Sequence, residues 1–252
     1  PRMLQDGVST TGTLGGGLGA IKRISDEFDI NSSPERGTAV LSRLWHQWTP
    51  LALRNRIVEF GGIAVAMPGE DACGDRWAVR QHDAGVTILV VDGLGHGPKA
   101  ALAAEETLRV FETSSAVDPS ALIHRVHAAI RHTQGTAIAI AEIAPTSGVI
   151  TYAGVGNISG RLYGTGASST RGLVSIAGVV GYQLHKVLNF TYPWKEDSLL
   201  VMNSDGLLSS LEAQGLAHHH ASLIAAILYR DYTRKTDDST VVVTKLKGSP
   251  NL

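Results

Sequence analysis

The stretch that most restricts this chain is a pair of short runs on either side of His82-Asp83-Ala84-Gly85. Residues 76–82 alternate and residues 86–91 are almost wholly apolar, and a turn signal between two such runs predicts a β-hairpin. A hairpin closed there has a set register: His82 faces Gly85, Trp77 faces Val90 and Asp75 faces Asp92. Directly opposed residues on antiparallel strands hold their Cβ atoms about 4.5–5.5 Å apart, which places two carboxylates side by side. Such a pair raises its own pKa values unless a cation lies between the oxygens. Two solvated strand-end aspartates are the other reading, and these two residues alone do not separate them.

Composition limits what can surround the hairpin. The 252 residues are 43% hydrophobic and 18% charged, ample for a buried core and too apolar for a disordered chain. The 22 basic and 23 acidic residues leave a net charge of −1, so no whole-molecule field points to nucleic acid or an anionic membrane. No apolar run approaches the ~18 residues of a membrane helix. Cys73 is the only cysteine, which excludes an internal disulfide or a multi-cysteine zinc site and makes a reducing cytoplasm the simpler location. The chain opens on Pro1-Arg2 with no signal-like segment and reads as a processed or truncated piece.

Residues 1–45 read apart from the rest. A loop rich in Gly and Thr over 9–19 runs into a helical pattern over 20–28, a turn over 34–37 and a strand over 38–44. Residues 46–56 form a linker. In the 57–247 segment, strands are predicted over 63–67, 76–82 and 86–91, followed by a helix opening at Pro98 and another over 119–132. Strands over 136–143, 149–154, 160–163, 188–192 and 199–203 come next, then a helix over 222–229 and a closing strand over 240–246. Consecutive strands broken by paired helices predict an α+β layered sandwich rather than alternating βαβ units.

Further acidic residues stand at predicted strand ends: Asp205 in Ser204-Asp205-Gly206, and Asp237-Asp238 before the last strand. Carboxylate oxygens with no His or Cys beside them suit Mg²⁺ or Mn²⁺ rather than zinc. The glycines after Asp92 and Asp205 are expected to let the backbone turn sharply and to bare a carbonyl as a further ligand. A two-metal site of this kind lowers the pKa of a bridging water and clamps a phosphoryl group for in-line attack.

Taken in order, Gly69-x-x-x-Cys73-Gly74-Asp75, Val91-Asp92-Gly93-Leu94-Gly95-His96-Gly97, Ser204-Asp205-Gly206 and Asp237-Asp238-Ser239-Thr240 resemble the metal-dependent type 2C serine/threonine protein phosphatases. The Asp-Gly-x-Gly-His-Gly spacing is most similar to the SpoIIE branch and its small RsbX-like members. The resemblance implies a four-layer αββα sandwich over 57–247, with two antiparallel sheets flanked by helices. It implies two Mn²⁺ or Mg²⁺ ions held by Asp75, Asp92, the carbonyl of Gly93, Asp205 and Asp237, with Asp238 beside them; Asp237 and Asp238 are alternatives for one ligand. The substrate it implies is a phosphorylated STAS-type partner-switching protein. Eukaryotic relatives hold the phosphate with an arginine near the domain start; Arg54, Arg56 and Arg76 lie nearby here, none in a recognisable motif.

The segment 1–45 resembles the last part of a GHKL-type ATPase, as in RsbT-like switch kinases, with Gly15, Gly17 and Gly19 as the phosphate-wrapping glycines. The upstream helix that holds Mg²⁺ in that family is absent, so ATP is not an expected ligand of this chain. Two other readings remain: a non-catalytic regulator with the phosphatase fold, and a fused switch kinase whose ATPase half is truncated. His96 reads first as a helix-start histidine bonded to nearby backbone and second as a ligand-orienting or proton-donating group. His218-His219-His220 reads as a solvated loop, not a zinc site. Cys73 and the tryptophans 45, 48, 77 and 194 read as packing, and 164–172 as a mobile loop.

Overall fold

The computed structural model describes residues 16–49, 57–164, 170–196 and 198–246. The chain divides into two compact units, Pro1–Arg56 and Ile57–Leu252. In the first, α1 (Gly17–Ile24) precedes the antiparallel pair β1 (Glu27–Ser33) and β2 (Gly37–Arg43). The helix predicted over 20–28 therefore starts three residues earlier, stops at Ile24, and gives way to a strand. Asp29-Ile30-Asn31 are poor helix formers, and the turn closed by Gly37 at φ 83° supplies β1 with a partner. Gly17 and Gly19 lie in the first turns of α1, and Gly15 lies outside the described residues.

The second unit has two sheets. One runs β10 (Ser175–Ile176), β7 (Val149–Val155), β6 (Thr136–Ala144), β5 (Gly85–Gly93), β4 (Asp75–His82), with β11 (Phe190–Pro193) also pairing β7. The other runs β3 (Val58–Val65), β13 (Ser239–Leu246), β12 (Leu199–Asn203), β8 (Ser159–Tyr163), β9 (Thr170–Gly172). The pleat divides each central strand between two cores. Val86, Ile88 and Val90 of β5 meet Leu200, Met202 and Val242 between the sheets, while Leu89 and Val91 face outward under helices. Those helices are α2 (Pro98–Thr113) and α3 (Pro119–Ala129); α4 (Ala221–Tyr232) covers Leu199, Val201, Val241 and Val243 on the other side. The result is the αββα order, and it explains why these strands read as unbroken apolar runs.

The hairpin register is the expected one: Asp75 opposes Asp92, Trp77 opposes Val90, and His82 opposes Gly85. β3 lies five residues upstream of its predicted start because Gly61-Gly62 lowers its strand signal. Both glycines are there for close approach: a Cβ on Gly61 would sit 2.3 Å from Ser222 Cα of α4, and one on Gly62 2.7 Å from the Trp77 ring. The histidine run is solvated only at His218, which is exposed. His219 is buried, and His220 caps α4 by accepting a hydrogen bond from the Ser222 amide. Trp77 and Trp194 pack in the inter-sheet core, whereas Trp48 is exposed.

Candidate active site

The site begins where β4 and β5 are opposed. Asp75 is the first residue of β4 and is 1% exposed. Its Oδ2 accepts a 2.6 Å hydrogen bond from Ser204 Oγ, which itself accepts from the Thr240 amide at 2.9 Å. The end of β12 and the start of β13 are thereby tied to the end of the other sheet. Asp75 Oδ1 is buried with no hydrogen-bond donor. Burial, followed by the charges of Asp238 and Asp237, pushes the Asp75 carboxyl up to about 7, against the lowering effect of Ser204. Asp92 is pushed up to about 8, first by burial and then by Asp75, Asp205, Asp237 and Asp238. Asp237 is raised as well, mainly by burial.

Asp92, Asp205 and Asp237 line one cleft of about 260 Å³ together with Leu94, Gly95, His96, Ala137, Asn157 and Thr236. Among the described residues no three His, Cys, Asp or Glu side chains stand around a single point, so the carboxylates border this space rather than close on it. The donor set fits a hard divalent cation on chemical grounds. It is all oxygen, it keeps a buried acceptor without a donor, and its mutual repulsion is what a cation would relieve.

Asp238 faces away from this task. Its Oδ1 accepts from the Met67 amide at 2.7 Å and its Oδ2 from the Gly74 amide at 2.5 Å, so it pins the β3–β4 connection to the start of β13. That connection carries Glu70, whose Oε1 lies 2.7 Å from His96 Nδ1. His96 is bound to a side chain, not to the backbone as first read. Arg76 is engaged elsewhere, donating to the Cys73 and Asp75 carbonyls and to Glu105. Arg54 and Arg56 lie outside the described residues.

The glycines next to the aspartates serve packing, not a sharp turn. Neither Gly93 nor Gly206 has a positive φ. A Cβ on Gly93 would meet the Ala100 carbonyl oxygen at 2.2 Å, and one on Gly206 the Asp238 carbonyl oxygen at 1.9 Å. Asn157 is a cleft residue that sequence reasoning passed over: its Nδ2 donates to Asp205 Oδ2 at 2.8 Å. The tight Val155-Gly156-Asn157 connection between β7 and β8 was its only trace in the sequence.

The profile of the family described as Stage II sporulation protein E (SpoIIE) matches residues 82–247. The chain belongs to the SpoIIE family. Among solved structures, one described as the bacterial stressosome, a modular system adapted to control secondary messenger signalling, is 28% identical. It superposes with a TM-score of 0.69 over 75% of this chain and 100% of that one. RsbX in complex with magnesium is 22% identical, with a TM-score of 0.65 over 77% of this chain and 97% of that one. The PP2C phosphatase domain of SpoIIE from Bacillus subtilis is 20% identical, with a TM-score of 0.61 over 77% and 64%. The fold of this SpoIIE-family member is that of the PP2C phosphatase domains. A separate likeness, 43% over 44 residues, is to the serine/threonine-protein kinase RsbT of Bacillus subtilis (strain 168); the chain spans about a third of that kinase's length.

Proposed function

We propose that this SpoIIE-family domain hydrolyses phosphoserine or phosphothreonine on a STAS-type partner-switching protein in the cytoplasm, in a reaction dependent on Mn²⁺ or Mg²⁺. One observation carries the reading: buried Asp75 opposes half-buried Asp92, both carboxyls are raised in pKa, and Asp92 lines a cleft that also presents Asp205 and Asp237. Asp75, Asp92, the Gly93 carbonyl, Asp205 and Asp237 would hold two ions. Such ions supply Lewis acidity toward a phosphoryl group and an activated water, so no enzyme nucleophile is required. Asp238 acts one step back, holding the loop that carries Glu70.

Glu70 accepts from His96 Nδ1 and fixes the ring, and in the imidazolium form Nε2 then donates to a phosphoryl or departing serine oxygen in the cleft. With Arg76 engaged elsewhere, His96 is the ionisable nitrogen donor that lines this space.

The kinship with RsbX, with a stressosome structure and with RsbT supports a partner-switching protein as substrate. The likeness to RsbT also supports reading residues 1–45 as a piece of a switch-kinase fold joined through 46–56 to the phosphatase domain. The experiment is phosphate release from phosphorylated STAS proteins, with and without Mn²⁺. Metal-dependent release is expected; equal release in EDTA would defeat the reading.

A further inference from the structure

Asp205 is an exposed carboxylate on the turn after β12, and backbone geometry alone does not orient its oxygens. Among the described residues its one side-chain hydrogen bond comes from Asn157 Nδ2, at 2.8 Å to Oδ2. We propose that Asn157 is the positioning residue for Asp205, setting that carboxylate for a divalent cation while leaving its charge intact; this rests on the metal-dependent reading above.

The choice of side chain supports the assignment. A lysine or arginine at this place would also bind the carboxylate, but its positive charge would compete with the cation. An aspartate would repel it. A neutral amide fixes one oxygen and leaves the full negative charge, together with the other oxygen, for a ligand.

The placement of Asn157 is itself rigid. Gly156 stands at φ 90°, which an L side chain rarely adopts, and a Cβ there would lie 2.6 Å from Ala137 Cβ. The Gly156 amide donates to the Ile176 carbonyl at 2.9 Å. Ala137 belongs to β6 and pairs directly with Asp92. The turn that presents Asn157 is therefore braced on the strand next to Asp92, and the Asn157–Asp205 bond joins the β7–β8 turn to the end of β12. Partners that orient a metal ligand in this way typically contribute 10–100-fold to ion affinity.

The test is calorimetric titration of Mn²⁺ into the intact chain and into Asn157→Ala, with melting temperatures of both in EDTA. The expected result is Mn²⁺ affinity weakened by roughly 10–100-fold in the variant, with the melting temperature in EDTA unchanged. Half-maximal activation should shift to higher Mn²⁺ by the same factor, and saturating Mn²⁺ should restore kcat. Affinity within twofold of the parent would overturn the proposal. So would a lowered melting temperature with unchanged affinity, which would make Asn157 a turn-building residue only. If Asn157→Ala does not fold, Asn157→Ser, too short to span to Asp205, provides the same comparison. Absence of Mn²⁺ uptake by the parent chain would instead defeat the metal-dependent reading itself.

Discussion

Replacing Asp92 by asparagine removes one charge from the opposed pair and keeps its shape. In the absence of divalent ions the folded pKa values of about 7 for Asp75 and about 8 for Asp92 lie above the ordinary value of 3.8. Because the folded state holds these protons more tightly than the unfolded chain, the associated stability is complete below about pH 4. It is lost as pH rises through about 7 to 8. At about 1.4 kcal/mol per pKa unit, the rise of Asp92 from 3.8 to about 8 bounds the gain at about 6 kcal/mol. An amide still bears part of the burial cost, so Asp92→Asn should recover roughly 2–3 kcal/mol at pH 8.5.

For a domain of this size that is a rise of about 4–12 °C in melting temperature. Thermal melts in EDTA from pH 5.5 to 8.5 should show the parent falling steeply with pH and the variant falling less, because Asp75, raised chiefly by burial, still titrates in it. Added Mn²⁺ should restore the parent at pH 8.5 and move the variant far less, because the carboxylate charge that attracts the ion has become a neutral amide. A parent whose stability in EDTA stays level across that range, or a variant that falls as steeply, would refute the reasoning. Asp118 does not confuse the measurement: its carboxyl is held below the usual range by hydrogen bonds from Ala121, Ser120 and Asn189, so its contribution is lost only in acid.

Two further substitutions separate positioning from chemistry. Asp238→Ala leaves the amides of Met67 and Gly74 without their acceptor and should cost roughly 2–4 kcal/mol of stability, read by urea denaturation in EDTA, where ion binding plays no part. His96→Gln should slow phosphoserine hydrolysis by about 10²-fold or more, and p-nitrophenyl phosphate hydrolysis far less, since that leaving group departs without a proton. Equal losses on the two substrates would assign His96 to phosphate binding instead.

Much of this molecule is local in origin and so was legible early. The turn at Asp83-Ala84-Gly85 sets a register by itself, and counting back along two strands brings Asp75 opposite Asp92 with no long-range information. The apolar runs of β5, β6, β12 and β13 identify strands buried on both faces, and the alanines of α2 forecast a helix lying close on a sheet. Where local preference met a distant contact, the forecast failed. Gly61-Gly62 reads as a strand breaker until α4 and Trp77 are seen to need the space. Phe28 looks helical until β2 offers a partner.

What only the tertiary structure decided is which polar groups meet. The ties from Ser204 to Asp75, Asp238 to Gly74 and Asn157 to Asp205 join residues 129, 164 and 48 positions apart. A hydrogen bond depends on position to a fraction of an ångström, and at such separations position comes from how two sheets stack, which no spacing rule encodes. The sequence could therefore name the acids; the stacking of the sheets decides which of them faces the cleft and which holds a loop.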